Sequence, residues 1–236
     1  MVTFFAIGGR TPRRATVARK KGFAEETKSV DTRGAKSAAV RISMRAGEIN
    51  LSGGAEKFMD GDFRYQKDLK PEIDYKVMDT VGILSLAQKG PQTLFVNGLS
   101  GFRGEYDRWN VRLNNSLPMD MKVDIAAGRG KLRLGGLLLN HLAVGVGSGV
   151  VSINLTGTWR RSMKALINGG FGKTSIQLPA NVGVRVKLDP GIALVNISGL
   201  KKKGGFYVNQ ALGKSAVTLD LEVSTGFGII NIEAGE

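Results

Sequence analysis

Gly130-Lys131-Leu132-Arg133-Leu134 and Gly149-Val150-Val151-Ser152-Ile153 share one pattern: glycine, any residue, apolar, any residue, apolar. The pattern returns as Gly47-Glu48-Ile49-Asn50-Leu51, Gly82-Ile83-Leu84-Ser85-Leu86 and Gly228-Ile229-Ile230-Asn231-Ile232. Gly172 leads a weaker copy through Thr174 and Ile176, and Ala193 takes the glycine place before Val195 and Ile197. A further glycine stands two places earlier at Gly128, Gly147, Gly170 and Gly226. From Gly130 onward the copies are spaced by 19, 23, 21 and 35 residues. Spacings in this range mark a repeat architecture.

Each glycine is approached by a run of period two. Val40, Ile42 and Met44 precede Gly47; Met121, Val123 and Ile125 precede Gly128; Leu219, Leu221 and Val223 precede Gly226. Period two means a strand with one buried face. The unit is therefore strand, glycine corner, strand, with Gly47, Gly82, Gly130, Gly147, Gly149, Gly172 and Gly228 as the structural corners. Glycine suits a corner because it accepts positive φ without a Cβ penalty; Gly147 and Gly172 are the foremost candidates for such angles. Two all-β architectures satisfy the pattern. A hairpin array folds each unit back on itself. A single-stranded β-solenoid lets each unit bend and wind on, stacking short strands about 4.8 Å apart. The short period favours the solenoid, with Leu132, Val151, Ile197 and Ile230 stacked inside it.

The chain has 236 residues, 33 glycines, 6 prolines, no cysteine and one histidine. Without cysteine there is no disulfide framework, and His141 alone makes no histidine metal cluster. The net charge is +14, and Arg10, Arg13, Arg14, Arg19, Lys20 and Lys21 form a basic arm ahead of the first acid, Glu25. With Lys201, Lys202 and Lys203 these are the candidate contacts to an anionic surface. Aromatic residues do not interleave with the arm, which argues against a sequence-reading nucleic-acid module. The division expected is a basic arm over 1–34, a remnant of a membrane-proximal segment, and a solenoid domain over 35–236. The apolar stub Val2–Gly9 is far shorter than the roughly 20 residues of a spanning helix.

The run Ala46-Gly47-Glu48-Ile49-Asn50-Leu51-Ser52-Gly53-Gly54-Ala55 resembles the opening of the LiaF-like domain of cell-wall-active antibiotics response, also called the toast-rack domain. Gly61-Asp62-Phe63-Arg64-Tyr65, Leu113–Asp120, Leu178–Val184 and Gly226–Ile232 extend the resemblance over about residues 35–233. It implies a single-stranded β-solenoid, commonly following membrane helices, and for some relatives a part in restraining a sensor kinase of envelope stress. It supplies no catalytic residues.

Other motifs yield to simpler readings. Gly169-Gly170-Phe171-Gly172-Lys173-Thr174 ends like a phosphate loop, but Ile167 stands where that loop needs its first glycine. Asp60-Gly61-Asp62 offers too few oxygens for calcium and reads as an exposed turn. His141 has no acid or serine beside it in sequence. Trp109 and Trp159 read as corner or end packing. The sequence thus points to a non-enzymatic scaffold or interaction module without catalytic, cofactor or metal residues. Its expected partner is a protein or a component of a prokaryotic cell envelope, with an anionic membrane surface as a further contact. Two alternatives stand beside it. One is a polyanion-binding protein using the basic arm, which a basic row on the coil would favour. The other is a polysaccharide-active β-helix enzyme, which an acidic row would favour.

Overall fold

The computed structural model describes residues 22–89 and 106–235. They form fourteen strands and one short 3-10 turn at Lys67–Leu69. Five strands are long: β2 (Ser37–Gly53), β7 (Met119–Arg133), β8 (Leu139–Asn154), β9 (Met163–Leu178) and β14 (Thr218–Ala234). Each runs through a glycine corner at its middle and so contributes to two half-sheets. Before the corner, Val40, Ile42 and Met44 of β2 are buried; after it, Ile49 and Leu51 are buried. The same alternation repeats in the other four, and the two inner faces close on one apolar core. The fold is a β-solenoid.

Two further coils are split at the corner. One consists of β5 (Val81–Gln88) and β6 (Arg108–Leu113); the other of β10 (Gly183–Asp189) and β11 (Ile192–Ser198). All seven coils pair in parallel, but not in chain order. Along the stack they run β5/β6, β2, β7, β8, β9, β14, β10/β11. The first and the last long strand are each inserted one place inside the end of the rack. Simple sequential winding, as the repeat alone suggests, does not describe this stack.

The corners align in register as Gly47, Gly128, Gly149, Gly172 and Gly228, with Ala193 following. All five glycines have φ between 131° and 147°. A Cβ on Gly149 would lie 1.9 Å from the Gly128 carbonyl oxygen, and one on Gly172 would lie 1.9 Å from that of Gly149. Glycine is thus required both for the backbone angle and for the contact between coils. Three expected corners are corrected. Gly130 lies two residues past the corner that Gly128 makes, Gly82 pairs with Ala38 ahead of the β2 corner, and neither has positive φ. Gly147 also lacks positive φ, and its missing side chain instead makes room for the Ala126 carbonyl.

Antiparallel strands close most of the rack's ends. At one end β4 (Pro71–Met78) covers β5, while β3 (Met59–Gln66) and then β1 (Phe23–Val30) cover β6. At the other end β13 (Phe206–Val208) and β12 (Lys201–Lys203) cover β10. β1 falls inside the stretch expected as an arm over 1–34. It escapes detection by periodicity because polar cross-strand pairs tie it down: Thr27 donates to Asp62 at 2.9 Å and Ser29 to Asp60 at 2.6 Å. Asp60-Gly61-Asp62 is accordingly part of β3 and not a turn. Trp109 is fully buried, edge-on to Phe63 at 5.8 Å, and Trp159 donates its indole N–H to the Leu155 carbonyl. Leu132, Val151 and Ile230 are fully buried. Ile197 is only half-buried, because no coil lies beyond β11 among the described residues.

Candidate binding face

The half-sheet before the corner turns its outer face to solvent, and solenoid register lays that face out in rows. One row crosses six strands as Ala39, Asp120, His141, Lys164, Asp220 and Arg185. The row two residues on reads Arg41, Lys122, Ala143, Leu166, Glu222 and Lys187. The small residues Ala39 and Ala143 leave a groove of about 740 Å3 between the longer side chains. Adjacent charges partner one another. His141 Nδ1 lies 3.0 Å from Asp120 Oδ1, and Arg185 Nε donates to Asp220 Oδ1 at 3.0 Å. The Arg185 hydrogen bonds hold the Asp220 carboxyl below the usual range, outweighing its partial burial. Sequence reasoning gave His141 no acid partner; Asp120 comes to it from the preceding coil, 21 residues away in the chain. Knowing the register, and not the local motif, is what reveals this pair.

Both rows mix the two signs: acids and bases are interspersed in the first, and the second runs from Arg41 and Lys122 through uncharged Ala143 and Leu166 to Glu222 and Lys187. They form neither the basic stripe that a polyanion needs nor the clustered acids of a glycosidase. Among the described residues no three metal-binding side chains come together. Lys173, the tempting lysine of the phosphate-loop resemblance, projects from the outer face just past the β9 corner. Arg10, Arg13, Arg14, Arg19, Lys20 and Lys21 lie outside the described residues. Lys201, Lys202 and Lys203 are all exposed in β12, and Lys202 stands 5.9 Å over the Tyr207 ring.

A buried polar cluster, not anticipated from sequence, takes over at the split corner of β5/β6. Gln88 Oε1 accepts from the backbone N–H of Arg45 and of Ala46, both at 2.9 Å, while its Nε2 donates to the Ala46 carbonyl and to Asp107. Asp107 also accepts from the Gln66 N–H at 2.8 Å. One amide side chain thereby supplies the pairing that a neighbouring backbone supplies elsewhere. Burial pushes the Asp107 carboxyl up despite these bonds. Burial also pushes Glu48 up, but hydrogen bonds from Asn50 and Tyr106 with Lys131 and Arg108 nearby leave it below its ordinary value. This cluster is structural: its polar atoms are spent on one another and on backbone.

The sequence pattern of the N-terminal domain of toast_rack, DUF2154, matches residues 19–177. The chain belongs to the toast-rack family. The match begins within the expected arm, consistent with β1 being part of the sheet. A solved structure from Clostridium sporogenes, named a "putative cell adhesion protein", is 30% identical with a TM-score of 0.81. That similarity covers 91% of this chain and 100% of the other. A "putative adhesin" from Bacteroides fragilis is 12% identical with a TM-score of 0.32, covering 90% and 97%. No curated protein matches the toast-rack chain.

Proposed function

We propose that this toast-rack protein is a non-enzymatic interaction module of the prokaryotic cell envelope, membrane-associated in its parent context, that binds a protein or envelope polymer through its row-patterned outer face. The observation that carries this reading is the Asp120–His141–Lys164–Asp220–Arg185 row, held rigid by hydrogen bonding on both sides of every strand. A stiff solenoid fixes such side chains at regular spacing, which suits extended ligands. The similarity to a structure named for cell adhesion supports the same direction. Among the described residues no helix is long and apolar enough to cross a membrane.

Binding of purified protein to envelope fractions and to whole cells tests the reading. Lys164→Glu reverses the exposed charge at the centre of the row without removing the Arg185–Asp220 pair, and is expected to abolish saturable binding while leaving the protein folded, as its unfolding curve would show. Full binding by that variant refutes the assignment to this face. The basic arm is tested separately with anionic vesicles, using a chain that starts at Gly22. A chain starting at Thr27 would remove half of β1 and confound the result. Equal sedimentation of the full and shortened chains excludes a membrane role for the arm.

A further inference from the structure

Among the described residues four strands form the outer edges of the two half-sheets, and three carry the devices that discourage strand addition. β4 begins with Pro71 and carries Glu72, Asp74 and Lys76; β1 carries Glu25, Glu26 and Lys28; β12 is three lysines. Charge and proline on an edge are the usual protection against pairing with another chain. β11, Ile192-Ala193-Leu194-Val195-Asn196-Ile197-Ser198, has neither. It pairs with β14 on one side and with no described strand on the other. The core is also unfinished there. At the opposite end Trp109, Val111 and Leu113 of β6 are fully buried, whereas Ala193, Val195 and Ile197 are only half-buried. On the outer face Ile192 is 75% exposed and Leu194 71%, continuous with exposed Phe227 and Phe171, whose rings lie 6.1 Å apart. These four side chains expose on the order of 600 Å2, at the upper end of what a monomer's largest apolar patch reaches.

We infer that two copies of this chain associate by antiparallel pairing of β11 with β11 about a two-fold axis at Val195. The strand is self-complementary in that register. Leu194 faces Asn196, Ile192 faces Ser198, and on the core side Ala193 faces Ile197, so that a small residue meets a large one. No charge is opposed to any other. In that register the partner's Gly199 lies opposite Gly191 and the partner's Leu200 opposite Pro190, next to the exposed Ile192, and each copy's half-buried core residues gain a covering strand. A seven-residue edge with its flanks is smaller than the roughly 800 Å2 per partner of a standard interface, so the dimer is expected in the micromolar range.

Sedimentation velocity of the full chain from low to high micromolar concentration tests the pairing. The wild type is expected to shift from monomer to dimer. Leu194→Lys with Asn196→Lys sets lysine against lysine at two places and is expected to remain monomeric throughout. Leu194→Glu with Asn196→Glu should likewise stay monomeric, and an equimolar mixture of the two variants should dimerise again. That rescue cannot come from misfolded protein. A wild type that is monomeric at every concentration overturns the inference, whether or not it sediments with anionic vesicles through Phe171 and Phe227. So does a dimer that the double-lysine variant leaves intact, since its interface then lies elsewhere.

Discussion

Replacing Gly149 with alanine tests the central claim about the corners. Its φ of 136° belongs to a region nearly closed to residues with a Cβ, and occupying it costs about 1–3 kcal/mol. The added methyl would also lie 1.9 Å from the Gly128 carbonyl oxygen, which belongs to the neighbouring coil and cannot rotate away. Restoring an ordinary contact requires a displacement of more than an ångström, enough to break one or two ladder hydrogen bonds at about 1 kcal/mol each. The expected loss is about 4 kcal/mol, a large share of the roughly 5–15 kcal/mol that holds a domain folded. Two comparison variants separate the causes. Gly204→Ala shares positive φ but meets nothing within 4 Å, and is expected to cost about 1 kcal/mol. Gly130→Ala has ordinary φ and meets only the side-chain methyls of Ile125 and Val151, and is expected to cost about 1–2 kcal/mol. Urea unfolding midpoints at constant slope give the three values. If Gly149→Ala is no more costly than Gly204→Ala, contact between coils does not explain the glycine ladder.

Gln88→Leu should cost about 3 kcal/mol by removing the acceptor of the Arg45 and Ala46 N–H groups and leaving Asp107 with the Gln66 N–H but without the Gln88 amide, and should speed hydrogen exchange at the Arg45 and Ala46 amides; a loss below about 1 kcal/mol would show that water replaces the clamp. The Glu26 carboxyl is lowered from 4.5 to about 2, first by the hydrogen bond from Lys28 and then by that from Lys70. Its stabilisation is therefore complete above about pH 4.5 and disappears as pH falls toward about 2. Glu26→Gln should flatten the stability profile across that window, and added salt should weaken the effect in the wild type because the pair is exposed; an unchanged acid limb would assign it to other carboxylates.

Sequence showed the solenoid because its signals are local. A glycine followed by alternating apolar residues exposes the strand, the corner and the buried face in five consecutive positions. What sequence concealed was everything set between coils. The Gly128 and Gly130 pair looks equally suited to a corner from either glycine, and only pairing with Gly47 and Gly149 selects the first. β14 reads as the end of the rack, yet it lies between β9 and β10/β11, because any coil of this pattern stacks on any other. β1 was hidden by its polar pairing to β3, and the Asp120–His141 pair by the whole coil that separates its members. The Gln88–Asp107 cluster has no motif, since its geometry answers a gap in the repeat.

The insertion of β14 bears on how the protein carries load. In a rack wound in chain order, the last coil is an edge, and tension on the C-terminus peels it away one hydrogen bond at a time. Here Thr218–Ala234 is bonded along its length to β9 on one side and to β10 and β11 on the other, all parallel to it. A pull directed along the strand must slide it past two ladders together, with many bonds resisting at once. β2 is gripped in the same manner between β5/β6 and β7 at the opposite end. A pull on either strand meets two ladders at once, whereas a pull from the N-terminal side first meets β1, an edge strand bonded to β3 alone among the described strands.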